Sequence, residues 1–127
     1  VDSLIFQRIN NKSILTCDQA MKNKYIQVQT TVGSEEEAFL YASSMVKMNL
    51  VACVHYYPIK SIYRWKGQIE KSDEFLLLIK APLKNKDKII DYIKQEHSYE
   101  IPEILVLEFE SGSKEYLDWI DEETKLD

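Results

Sequence analysis

An α+β fold is predicted by three features of the chain. Residues 25–32 alternate apolar and polar side chains, the signature of a strand with one buried face. Residues 50–80 crowd Val, Ile, Tyr, Phe and Trp on both sides of a Lys66-Gly67 pair, which reads as a long β-hairpin. Each of these regions is followed by apolar residues at helical rather than strand spacing.

Residues 1–24 carry the weakest pattern. Leu4-Ile5-Phe6 and Ile14-Leu15 suit short strands, but Asn10-Asn11 interrupts any longer period. They are read as an N-terminal extension, the end of a processed leader being one option, and residues 25–127 as one domain. Arg8 and Lys12 are offset by Asp2 and Asp18, unlike an acid-poor transit peptide. In the first strand Ile26, Val28 and Val32 share one face, with Gln27 and Gln29 opposite. Gly33 ends it. Ser34 followed by Glu37 has the form of a capping box, and Glu35, Glu36 and Glu37 suit the positive end of a helix dipole. A helix is predicted over residues 35–48, with Ala38, Ala42, Met45 and Met48 inward.

The hairpin comes next. Gly67 supplies the positive φ of its turn, and Pro58, which has no amide donor, predicts an edge position and a bend in the first arm. Both arms exceed the usual ~5–6 residues, so a small domain cannot cover them along their length, and a second copy of the chain is the obvious cover. Ala81-Pro82 closes the second arm, and Asn85 is placed as the cap of a helix burying Ile89, Ile90 and Ile93. Residues 96–103 form a polar link. Residues 104–109 are nearly continuous in apolar character, as expected in the middle of a sheet. A last short helix carries Tyr116, Leu117, Trp119 and Ile120. This βαββαβ order with a C-terminal helix matches the ferredoxin-like arrangement, one antiparallel sheet with two helices on one face. The terminal helix and subunit association are left to cover the other face.

A chain of 127 residues can bury a core but has no room for a separate catalytic lobe. The net charge of −5, without a basic block, predicts no nucleic-acid partner. The longest apolar run, Phe75 to Ile79, falls far short of the ~20 residues of a membrane span. Cys17 and Cys53 lack the spacing of a disulfide or C-x-x-C framework, which fits a reducing compartment, the cytoplasm, or an organelle if residues 1–20 end a leader. No G-x-S-x-G, H-E-x-x-H or phosphate-binding glycine loop is present, so no catalysis is expected.

The run Ala52-Cys53-Val54, Pro58, residues 61–67 (Ser-Ile-Tyr-Arg-Trp-Lys-Gly), Glu70, Glu74 and Lys80 resembles the hairpin of the CutA family, the divalent cation tolerance proteins. His97-Ser98-Tyr99-Glu100-Ile101-Pro102-Glu103 is similar to that family's His-Pro-Tyr-x-x-Pro-Glu motif, and Tyr116-Leu117-Asp118-Trp119 to its Tyr-Leu-x-Trp. The resemblance implies a tight homotrimer, like that of the PII signalling proteins, with clefts between subunits that take small ligands. It also implies an association with copper in bacterial members, with anchoring of a partner protein in animal ones, and no known reaction. Thr30 stands where some bacterial members carry a cysteine, and Glu96 where they carry a second histidine. His55 and Ser98 are further departures, so of the copper set only His97 carries over.

Two sets of residues are candidates for a metal. Cys53 and His55, at i and i+2 of a strand, share a face and are soft-to-borderline ligands for copper or zinc; two ligands do not close a site, and a buried cysteine beside a chance histidine is the plainer explanation. His97 with Glu96, Glu100 and Glu103 could ligate copper or another divalent cation, whereas a histidine closing a helix is favourable for the dipole alone. Tyr63 and Trp65 alternate on one hairpin face and suit either a ligand cleft or a subunit interface. Arg64 and Lys66, opposite them, could hold a small anion or keep an edge soluble. Lys80 and Tyr99 join this cleft or interface through the family motifs. The two functional expectations are a homotrimeric ligand- or metal-binding module and a trimeric scaffold that organises a partner protein.

Overall fold

A computed structural model describes residues 24–126, so that all of the expected N-terminal extension except Lys24 lies outside the described residues. The strands are β1 (Tyr25–Val32), β2 (Cys53–Trp65), β3 (Gln68–Pro82) and β4 (Leu105–Glu108). The helices are α1 (Glu35–Lys47), α2 (Lys86–Glu96) and α3 (Lys114–Glu123), with a 3-10 turn at Leu83–Asn85 leading into α2. All strand pairs are antiparallel, in one sheet of order β2-β3-β1-β4.

The alternation of β1 places Ile26, Val28 and Val32 at the core, opposite Ala81, Ile79 and Phe75 of β3. Ser34 opens α1: its hydroxyl accepts from the Glu37 amide at 3.1 Å, while the Glu37 carboxylate accepts from the Gly33 amide at 3.3 Å. The inward face of α1 is Ala38, Tyr41, Ala42 and Met45. Met48, expected there, is exposed, because the helix ends at Lys47 and Asn49, with φ 57°, turns the chain away. Tyr41 contributes in its place, and its hydroxyl donates to the carbonyl of Glu96, tying α1 to the end of α2. Burial, and then the Glu37 carboxylate, push the Tyr41 phenol up to about 12.

Asn85 does not cap α2. Its side-chain amide is buried and donates to the Leu50 carbonyl at 2.9 Å, supplying a partner to a backbone group just ahead of the hairpin. Ile89 and Ile93 enter the core, and Ile90 is half-buried at its margin.

The β2–β3 ladder runs unbroken from Trp65↔Gln68 to Cys53↔Lys80. Lys66 (φ 50°) and Gly67 (φ 82°) make the two-residue turn, with both φ values positive as the twist of a tight hairpin requires. The bend expected at Pro58 is absent from the pairing: Pro58 faces Phe75 in register, and β2 is an edge strand, where a missing donor can be tolerated. β1 pairs with β3 only as far as Phe75, so residues 59–65 and 68–74 project about 20 Å beyond the rest of the sheet. The apolar run at residues 104–109 forms β4 at the opposite edge, not in the middle of the sheet, and leaves Leu105 and Leu107 about half exposed. An apolar run on both faces of a strand had implied cover on both; the described residues cover one.

The main core lies between one sheet face and helices α1 and α2. On the second face, α3 packs Leu117 and Ile120 against Tyr25, Ala52 and Phe109, closing one end only. Replacing the fully buried Ile79 by alanine is expected to cost about 2–5 kcal/mol. Replacing Phe39, 62% exposed on α1, should change stability by less than about 0.5 kcal/mol. Denaturant unfolding at one fixed protein concentration measures both. The Tyr41 phenol holds its proton more tightly in the folded chain, so its contribution is full below pH 10 and is lost as pH rises from 10 to about 12. Tyr41→Phe should flatten that alkaline loss in thermal melts recorded across the window.

Candidate functional site

The projecting hairpin and the link after α2 enclose a cleft of about 640 Å³, within the size range of small-molecule sites. It is lined by Thr31 of β1, by Lys60, Ser61, Ile62, Tyr63 and Trp65 of β2, by Glu74 of β3, and by Tyr99, Glu100, Ile101 and Glu103 of the link. Strand period places Thr31, Ser61, Tyr63, Trp65 and Glu74 on the sheet face away from α1 and α2. The cleft therefore continues the surface that α3 leaves uncovered.

A chain of polar contacts fixes the link. One ring nitrogen of His97, Nε2, lies 2.6 Å from the Thr31 carbonyl, and the other, Nδ1, accepts from the Tyr99 amide at 3.1 Å. This pair of contacts defines a neutral imidazole with its proton on Nε2. The His97 ring also packs on Tyr99, centroid to centroid 4.6 Å. The Tyr99 hydroxyl then donates to Glu74 at 2.8 Å, joining the link to the hairpin. Burial, followed by the Glu74 carboxylate, raises the Tyr99 phenol well above the ordinary tyrosine range, so it remains a donor. Nearer the sheet, the Gln29 side-chain amide donates to Glu103 at 2.9 Å.

The charges of the cleft are unbalanced. Lys60 pairs with Asp73 at 3.0 Å, and Lys66 at the turn reaches Glu100 at 3.9 Å. Glu74 and Glu103, by contrast, bond to neutral groups, a phenol and an amide. Glu74 is only 7% exposed. A carboxylate in that position lies in poorly screened surroundings, where its field acts strongly on anything that enters.

Of the residues singled out from the sequence, Tyr63, Trp65, Tyr99, Glu100 and Glu103 meet in this cleft, and His97 braces it from beneath. Arg64 is directed to the opposite side of β2 from Tyr63 and Trp65 and is not part of the lining. Cys53, His55 and Lys80 lie at the other end of the hairpin, where Lys80 Nζ is 3.3 Å from His55 Nδ1 and the Cys53 thiol adjoins Tyr116. A lysine against that imidazole is unfavourable for a cation. Among the described residues no group of three or more His, Cys, Asp or Glu side chains is gathered closely enough to hold a metal ion. Both ring nitrogens of His97 are taken up by the backbone, so a metal ion would reach the imidazole only by displacing one of those contacts, which allows weak binding at most.

Glu74 and Thr31 are absent from the sequence-derived candidates. Glu74 had a readable signal: by strand period it shares a face with Leu76 and Leu78, where a carboxylate is out of place. Thr31 had none, because its part is played partly by its carbonyl.

Residues 26–123 match the sequence model of the family described as CutA1 divalent ion tolerance protein. The divalent-cation tolerance protein CutA of Thermus thermophilus is 42% identical over 98 residues, which span 76% of this chain and 95% of that one. Human protein CutA is 36% identical over 96 residues, 75% of this chain and 54% of its own length. A solved structure from Archaeoglobus fulgidus, described as a periplasmic divalent cation tolerance protein CutA, superposes with a TM-score of 0.78 at 38% identity, covering 80% of this chain and 99% of that one. Among the described residues no helix is long and apolar enough to cross a membrane. With a family match over residues 26–123 and relatives at this identity, the chain belongs to the CutA1 divalent ion tolerance family.

Proposed function

We propose that the chain, over residues 25–127, is a non-enzymatic binding module that works as a homotrimer of ferredoxin-like protomers in a PII-like assembly. The observation that carries this reading is the position of the cleft on the sheet face that the described residues leave uncovered. On that face Leu105, Leu107 and Tyr57 are about half exposed, with Leu76, Leu78 and Ile59 half-buried beside them. These two apolar groups, on either side of Gln27 and Gln29 of β1, favour association over solvation. The projecting hairpin has the same need, since two long arms cannot be shielded by one small domain. A second copy seated there would wall the open side of the cleft and make it intersubunit. The strand order β2-β3-β1-β4 supports the ferredoxin-like description.

Relatives are named for tolerance to divalent cations, and the carboxylates of Glu100 and Glu103 in the cleft support a cationic ligand. The copper version of this reading places the ion at these carboxylates with His97 adjoining, at the expense of one of its backbone contacts. A small anion fits less well, because Arg64 is directed away. The scaffold alternative keeps the trimer and leaves the cleft without a ligand. A free, half-buried Cys53 agrees with a reducing compartment, the cytoplasm.

Sedimentation of the parent chain at micromolar concentration should return a trimer mass. Leu107→Glu, which introduces charge into the apolar face, should shift the mass toward the monomer, and a parent that sediments as a monomer would sink the assembly. Copper(II) titration by calorimetry should show weak binding that His97→Ala lowers at least tenfold, since a ligand is removed. Equal binding by parent and His97→Ala would place any copper elsewhere.

A further inference from the structure

We propose that the cleft takes an organic cation, an aliphatic chain bearing two or more ammonium groups, with its charges on Glu74 and Glu103 and its methylenes against Tyr63, Trp65 and Tyr99. This inference rests on the binding-module reading and names the ligand of the same cleft.

The sign of the ligand follows from the unbalanced carboxylates. Glu74 is more than nine-tenths buried, and among the described residues its hydrogen-bond partner is the neutral Tyr99 hydroxyl. A carboxylate offers about four acceptor positions, so most of its capacity remains free. Leaving a buried charge without a counter-charge is costly, and a cation entering the cleft relieves that cost. Glu103 has the Gln29 amide as its partner and extends the negative potential along the link. Lys60 is offset by Asp73, so the lining presents net negative charge to its contents.

The shape of the ligand follows from what surrounds those charges. The carboxylates lie on separate elements and do not gather into a metal-sized cluster. A bare ion would also leave most of about 640 Å³ unfilled. The three aromatic rings that line the rest of the cleft offer apolar area to methylene groups and negative ring faces to ammonium groups. Hydrated metal ions and small anions use neither. An elongated alkylammonium uses both, and its separated charges match carboxylates on separate elements.

The test uses the parent chain, Glu74→Gln, Glu103→Gln and an exposed control outside the cleft, Glu110→Gln, each first sized by sedimentation. Spermidine, putrescine, magnesium chloride and sodium phosphate are titrated by calorimetry, with tryptophan fluorescence followed in parallel to report on Trp65. Spermidine should bind saturably and perturb the fluorescence, with affinity about tenfold or more lower in Glu74→Gln and in Glu103→Gln and unchanged in Glu110→Gln. Should Glu74→Gln fail to fold, Glu103→Gln carries the comparison. Spermidine binding that is the same in all variants is surface attraction and overturns the proposal. Saturable binding of magnesium or phosphate in place of the amines overturns it while leaving the binding module standing. A monomeric parent that binds none of the four overturns both. A trimer that binds none of them, but dissociates in Glu74→Gln, assigns the counter-charge to a neighbouring copy and also overturns it.

Discussion

The register of the β2–β3 ladder is the constraint on which the remaining structure depends. All 13 residues of β2 are paired in sequence with β3, without a bulge, through Pro58 and down to the Lys66-Gly67 turn. Side chains alternate with a period of two, so a slip of one residue would exchange every inward group for an outward one. Such a slip would drive Glu74 into the core and Phe75 into the cleft. The positive φ values of Lys66 and Gly67 fix the turn, and the turn fixes the register. β1 then reads the same register as far as Phe75, and what lies beyond is hairpin alone.

That overhang produces the cleft. Residues 59–65 and 68–74 project past the sheet, and the link after α2 is fastened beneath them by backbone contacts of His97 and by the bond from Tyr99 to Glu74. The latch is made from polar groups in a partly buried setting, where an unsatisfied member would be expensive. His97 is thus a brace whose two nitrogens hold two segments in place. Catalytic or metal roles for it would compete with that work. The same face of the sheet continues from the cleft into the half-exposed leucines of β4, so the cleft and the uncovered apolar side chains are physically contiguous.

Much of this was legible in the residues because it depends on local period and turn chemistry. The limits of β1, the Ser34 cap, the Lys66-Gly67 turn and the aromatic row of Tyr63 and Trp65 all follow from spacing along a few residues. Other features depend on what lies across space. β4 reads as a central strand because apolar side chains appear on both of its faces, yet sheet position is set by which strands pair, and among the described residues β4 pairs with β1 alone. Asn85 has the right identity and position for a cap, but the Leu50 carbonyl is the acceptor that burial leaves most in need. Cys53 and His55 share a face as their spacing requires, but the arrival of Lys80 and Tyr116 is tertiary. Glu74 is the instructive omission: its alternation with Leu76 and Leu78 was visible, while its partner Tyr99 lies 25 residues away in the chain.

On the proposed assembly, the uncovered sheet face and the projecting hairpin are buried against further copies of the chain. Amide hydrogen exchange, followed by mass spectrometry over a dilution series, tests it most directly, because it reports on the hairpin residues themselves. The account predicts slow exchange in residues 59–74 at micromolar concentration, accelerating on dilution while residues 26–32 of the core stay protected. Exchange in residues 59–74 that is equally fast at every concentration would contradict it.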